Sequence, residues 1–282
     1  MNANRFFYSI AETLSRALPR RACYALADAC AHLYHALLFR DRALVEFNLA
    51  RALGDSDEVR PAVKRLVRAY ARYLVDLFYS DRLSEAFIRD KVRFKGLENL
   101  RAALERGRGA ILISGHVGHW ELAGMILAKL GFLMHIIALK HRHPRVEAVF
   151  QARRRKSGVG VILTGSSLKE CYRVLRRGEV LGLNVDRLYG GTGERVRFFG
   201  TDTLFPSGVN RLAAACGSPV LPMFFFMRDN GAFEFEILPP LDTTSGGRPL
   251  QDFAKLLERR IRQRPEQWFV FQRFTDKPLW PL

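Results

Sequence analysis

Apolar residues in the first 90 positions recur at helical spacing. Between 59 and 79 they fall at Val63, Leu66, Val67, Tyr70, Leu74, Leu77 and Phe78, one face of a 3.6-residue repeat. The stretch 44–53 is also helical, and Gly54-Asp55-Ser56-Asp57 forms the turn between the two, with Ser56 or Asp57 as N-cap. From Val92 the period shortens. Short apolar runs predict strands at 92–94, 110–114, 134–138, 160–163, 180–184, 196–198, 220–226 and 233–237. Helical runs at 98–105, 121–130, 145–156, 167–176, 208–216 and 251–262 separate them. Alternating strands and helices predict an α/β fold with a mostly parallel central sheet flanked by helices, because parallel neighbours need long crossovers. The expected organisation is a helical N-terminal extension over 1–90 and an α/β domain over 91–282, together one structural unit.

The segment 109–124, GAILISGHVGHWELAG, carries the most chemistry. Its apolar strand breaks at Ser114-Gly115, leaving His116 at the strand end, and a helical run follows that carries Glu121. A His at a strand mouth with a carboxylate about one helical turn further on suits general-base catalysis. The carboxylate orients the imidazole and stabilises the imidazolium formed when it takes a proton. Glu121 is accordingly expected to be the partner of His116. Backbone N–H groups after Gly115, at the start of that helix, are expected to stabilise an oxyanion. A metal trio of His116, His119 and Glu121 matches no common zinc spacing.

Composition narrows the setting. With 48% apolar and 26% charged residues the chain builds a core and is not disordered. Its formal charge of +17, with 36 of 45 cations being Arg, attracts nucleic acid, anionic lipid headgroups or an acidic protein, and charge alone does not choose among them. Cys23, Cys30, Cys171 and Cys216 are scattered without metal or redox spacing, which fits a reducing compartment. The stretch 23–39 has only Asp28 charged, the lower limit for crossing a bilayer. Asp28, His32 and His35 share one helical face, and Arg16, Arg20, Arg21, Arg40 and Arg42 flank the helix. Lying on the membrane, spanning it, or packing on the protein are the three readings this leaves. No cleavable signal pattern is evident.

No G-x-S-x-G elbow, P-loop, G-x-G-x-x-G or H-E-x-x-H is present. The segments that do recur in order are H-x3-W-E at His116–Glu121, Arg153-Arg154-Arg155-Lys156-Ser157-Gly158, Asn184-Val185-Asp186-Arg187, Phe198-Phe199-Gly200, Phe205-Pro206-Ser207-Gly208 and Pro265-Glu266-Gln267-Trp268. This series resembles the bacterial lipid A late acyltransferases, a branch of the glycerolipid acyltransferase superfamily, over residues 44–274. The resemblance implies that fold, no cofactor, and acyl transfer from an acyl carrier protein or coenzyme A thioester to a hydroxyl of a membrane glycolipid. It implies His116 as base with Glu121 as its partner, and Arg154 and Asp186 as substrate-binding or supporting residues. Arg153 and Arg155 compete with Arg154 for that role. It places the protein at the cytoplasmic face of the bacterial inner membrane. The charge then serves an acidic carrier and an anionic surface, and nucleic acid has no part. Departures are His119 where the family carries Asn, FPSGVN where the superfamily carries a phosphate-contacting F-P-E-G-T-R, and Val270 and Gln272 in the tail. The acceptor is therefore open between a lipid A precursor, a phosphatidylinositol mannoside and a lysophospholipid. A basic binding protein without catalysis is the alternative from another class.

Overall fold

The computed structural model describes residues 11–274, apart from Arg16, 38–40, Asp55, Arg142, 165–167, 189–191 and 245–246. Arg16, Arg40 and the end of the apolar stretch at 38–39 thus lie outside the described residues.

Helices α1 (Arg20–Leu37), α2 (Arg42–Leu53), α3 (Val59–Tyr79) and α4 (Glu85–Lys91) precede the sheet. Then follow β1 (Val92–Lys95), α5 (Leu97–Glu105), β2 (Ala110–Ser114), α6 (Trp120–Lys129), β3 (Met134–Ala138), α7 (Pro144–Lys156) and β4 (Gly160–Leu163). The rest comprises α8 (Leu168–Arg176), β5 (Val180–Asn184), β6 (Gly193–Phe198), β7 (Thr201–Pro206), α9 (Gly208–Cys216), β8 (Val220–Met227), β9 (Phe233–Ile237) and α10 (Pro249–Gln263). Seven strands form one sheet in the order β1-β9-β8-β2-β5-β3-β4, parallel throughout except for the β8–β9 pair. The predicted α/β class therefore holds.

All five residues of β2 and all eight of β8 are buried, as continuous apolar runs covered on both faces must be. Alternate side chains separate onto two cores. Ile111 and Ile113 pack with α2, α3, α8, α9 and α10, and Ala110 and Leu112 pack with α4, α5 and α6. Val45, Leu49, Val63 and Leu66 of the N-terminal helices belong to the first of these cores.

One element differs from expectation. Thr201–Pro206 is a strand that pairs antiparallel with β6. Its polar start, Thr201-Asp202-Thr203, hides it in the sequence. The two-residue turn between them is Phe199-Gly200, with φ of 45° and 73°. Two consecutive positive-φ residues give the hairpin turn whose twist matches that of the strands. Burial of Phe199 against Phe198 and Trp268 holds the strained non-glycine there.

The P-E-Q-W segment is a clamp. Gln267 Nε2 donates to the Met227 carbonyl at 2.7 Å, and Met227 N–H donates to Oε1 at 3.1 Å. Trp268 is fully buried beside Phe198 and Phe274. Replacing Gln267 with Leu leaves both backbone groups of Met227 without these partners, and should cost about 1–3 kcal/mol per orphaned group. Urea denaturation of the variant against the parent checks this.

Candidate active site

Strands β2 and β5 are neighbours, yet their outgoing connections diverge. The chain leaves β2 towards β3 on one side, and leaves β5 through the β6–β7 hairpin towards β8 on the other. A crevice opens at the carboxyl ends of two such strands. The register pairs Ser114 with Asn184, and Val185 N–H extends the ladder to the Ser114 carbonyl at 2.8 Å. His116 and Asp186, each two residues past its strand, consequently meet.

Imidazole Nδ1 lies 2.7 Å from Asp186 Oδ1, and the His116 backbone N–H donates to Oδ2 at 2.9 Å. Gly115 permits this approach, since a Cβ there would sit 3.3 Å from Asp186 Cγ and 3.0 Å from Leu257. Burial of Asp186 works against its ionised form. The charge and hydrogen bonds of His116, with Arg187 behind them, prevail and hold the carboxyl below its ordinary value. An ionised carboxylate only accepts, so the ring proton resides on Nδ1 and Nε2 carries the lone pair. Burial and then Arg187 pull the His116 pKa below its ordinary 6.5, against Asp186, so the imidazole is neutral at pH 7.

The expected partner, Glu121, is engaged elsewhere. His116 lies in a loop ahead of α6 rather than in the helix, so the H-x4-E spacing does not bring the carboxylate onto the ring. Glu121 instead forms a two-point ion pair with Arg154, whose Nε donates to Oε2 at 3.0 Å and whose Nη2 donates to Oε1. Of the three candidate arginines, Arg154 lines the same cavity as His116 and Glu121. Arg153 is buried over the Phe78 ring and faces Glu12 at 3.6 Å, and Arg155 is exposed. Asp186, predicted among the substrate-binding residues, is fully buried behind the imidazole.

The cavity holds about 570 Å³. One part is apolar, formed by Gly124, Met134, Ile136, Phe150, Val159 and Met223, and Tyr70, Tyr73, Phe269 and Phe271 supply aromatic walls. Trp120 meets the His116 ring edge-on at 5.2 Å. Trp268 and Phe224–Phe226 belong to the core and not to the lining.

The turn carrying His116 is tied on several sides. Gly118 N–H donates to the Gln267 carbonyl at 2.8 Å, and Phe269 N–H donates to the His116 carbonyl at 2.9 Å. His119 N–H donates to the Phe225 carbonyl at 2.7 Å. Gly118 has φ of 61°, and a Cβ there would lie 2.1 Å from Phe225 O, so only glycine fits. These bonds use the N–H groups of His116, Gly118 and His119, three of the donors expected to stabilise an oxyanion. Sequence reasoning also missed Asp76. Its carboxylate, from α3, accepts from His119, Arg20 and Tyr24 with no motif to mark it.

The family model for the bacterial lipid A biosynthesis acyltransferases matches residues 2–275. The chain belongs to that family. It is 29% identical to a phosphatidylinositol mannoside acyltransferase of Mycobacterium tuberculosis, over 80% of this chain and 74% of the relative. A lipid A biosynthesis acyltransferase of Haemophilus influenzae is 26% identical over 66% of this chain and 59% of its own length. The lipid A biosynthesis palmitoleoyltransferase of Escherichia coli is 24% identical over 66% and 62%. Membership makes the protein a transferase of acyl groups.

The geometry fixes how His116 titrates. Its imidazole should protonate below pH 6.5. Arg187→Gln removes a repelling cation and should raise that value, whereas Asp186→Asn removes the stabilising anion and should lower it further. Ring-proton NMR across a pH series, with the His116 signal assigned by its loss in His116→Ala, checks both signs.

Proposed function

We propose that the protein transfers a fatty acyl chain from an acyl thioester, carried by acyl carrier protein or coenzyme A, to a hydroxyl of a membrane glycolipid. The observation behind this reading is the His116–Asp186 pair, whose unprotonated Nε2 belongs to a half-apolar cavity. In this mechanism Nε2 takes the acceptor hydroxyl proton as the oxygen attacks the thioester carbonyl. The tetrahedral oxyanion collapses, the C–S bond breaks, and the imidazolium returns its proton to the departing thiolate. Asp186 holds the tautomer and offsets the imidazolium charge. The thioester is already activated, so positioning and one base suffice, and no covalent acyl-enzyme forms.

The acyl chain is assigned to the apolar part of the cavity. Arg154, fixed by Glu121, keeps Nη1 without a hydrogen-bond partner and is assigned to an anionic group of substrate. The relatives are named for two acceptor classes, lipid A and phosphatidylinositol mannoside. The chemistry common to both is a hydroxyl of a membrane glycolipid.

The expected working place is the cytoplasmic face of the inner membrane. Among the described residues no helix is long and apolar enough to cross a bilayer. Helix α1 instead presents Leu26, Leu33, Tyr34 and Leu37 outward on one face, with Leu33 59% and Leu37 70% exposed. Its Asp28 turns inward onto Arg68 and Arg72 of α3. The usual order of an amphipathic helix on a protein is thereby reversed, and that arrangement supports α1 lying in the membrane surface.

Two outcomes test the reading. Thiol release from lauroyl- and palmitoyl-acyl carrier protein, and from the matching coenzyme A thioesters, should require a glycolipid acceptor and fall about 10²–10⁴-fold in His116→Ala. Mass spectrometry of the product names the acceptor. No release with any donor overturns catalysis in favour of a binding role. Leu33→Ser with Leu37→Ser should weaken partition onto anionic vesicles by about tenfold or more, since each buried leucine contributes up to ~1.5–3 kcal/mol. Vesicle sedimentation measures it.

A further inference from the structure

The carboxylate of Asp76, 2% exposed, gathers three donors from two other elements. Arg20 Nε donates to Oδ1 at 2.7 Å, Tyr24 OH donates at 2.7 Å, and His119 Nε2 lies 2.9 Å from Oδ2. Burial alone would raise the Asp76 pKa, but His119 and Arg20 prevail and keep it ionised. His119 must therefore donate through Nε2. Its Nδ1 is buried with no hydrogen-bond partner, among the rings of Tyr73, Phe225 and Phe233.

Stability is a poor reason for this arrangement. A buried imidazole with one unpartnered nitrogen, on a carboxylate that needs that imidazole and an Arg to stay ionised, is less favourable than an apolar filling. The cluster's location is the informative part. His119 ends the turn that begins at Gly115 and contains His116, and Arg20 and Tyr24 belong to α1, the helix that carries the exposed leucines.

From this geometry we infer that Asp76 and His119 position the catalytic turn, and that α1, through Arg20 and Tyr24, sets how well His116 is held against Asp186. These four are positioning residues, acting on the reaction only through His116. Seating of the outward-facing helix and alignment of the base thus share one carboxylate.

The inference rests on His116 being the base, so its test has an arm that needs no turnover. Tyr24→Phe, which removes one oxygen, and Arg20→Gln should each lower kcat per folded molecule about tenfold, as sub-ångström misplacement of a base does. The KM for donor should stay within about twofold. The low-field NMR resonance of the His116 Nδ1 proton, bound to Asp186, should shift or broaden in both variants. Arg20→Lys should recover part of the rate, and His119→Gln, which keeps a donor, should retain more than His119→Phe. Arg68→Gln removes one bond between α3 and Asp28 of α1 and leaves Arg72 in place on Asp28 and over the Tyr24 ring, so it should leave kcat and the resonance unchanged. Unaltered kcat and resonance in Tyr24→Phe and Arg20→Gln would overturn the inference. So would an Arg68→Gln loss as large as theirs, because that reduces α1 to general stabilisation. If the parent shows no acyl transfer with any donor, the functional reading fails, and the resonance still decides whether α1 governs the turn.

Discussion

The arrangement of the site depends on one hydrogen bond, between His116 Nδ1 and the buried carboxylate of Asp186. It exists because β2 and β5 lie side by side in a register that places residues 116 and 186 opposite each other. A slip of one residue would turn every β5 side chain to the other face and break the pair along with the packing. The two apolar cores that fix this register are therefore the first determinants of the chemistry. Asp186 has no access to solvent, and the imidazole and the His116 backbone N–H are what keep it ionised. Asp186 consequently fixes which ring nitrogen carries the proton, while burial and Arg187 keep the imidazole neutral.

Around that bond the backbone of the turn that carries His116 is restrained by distant parts of the chain. The P-E-Q-W segment contributes Gln267, Phe269 just past it contributes its N–H, β8 contributes the Phe225 carbonyl, and α3 contributes Asp76. Only Gly118 tolerates the contact with Phe225. Such restraint suits the proposed acyl transfer, in which the donor is already activated and the remaining task is to place one hydroxyl, one base and one carbonyl. The Glu121–Arg154 pair uses the same logic one step further out. A guanidinium held at two points by a half-buried carboxylate is a fixed positive centre, and its position in the cavity is set before any substrate arrives.

Much of this was legible in the sequence. The strands ending at Ser114 and Asn184 were readable from their apolar runs, and so were His116 and the acidic residue past the second strand. Their adjacency was not, because β3 and β4 come between β2 and β5 in chain order and β5 inserts between β2 and β3 only in space. Hence the sequence points to the nearest carboxylate along the chain, Glu121, as the partner of the imidazole. Strand β7 was hidden by its polar first half, although Phe199-Gly200 at its start is the hairpin turn itself. Asp76 gave no signal at all. An Asp on a helix among Leu74, Leu77 and Phe78 has nothing to distinguish it until α1 and the turn before α6 are packed against it.

Charge is the property that misleads most when read from composition. The total of +17 suggests a surface of free cations, yet several arginines work inside the protein. Arg20 holds Asp76, Arg154 holds Glu121, Arg153 stacks over Phe78, and Arg72 pairs with Asp28. The last of these explains the reversed helix. Because Arg68 and Arg72 on α3 draw Asp28 inward, α1 cannot rotate its leucines inward without breaking these ion pairs and packing the leucines against the two guanidiniums. The apolar face is thus held outward by electrostatics. A helix fixed in that orientation keeps an apolar face available for the proposed membrane surface, while its first turns hold the carboxylate behind the turn that carries His116.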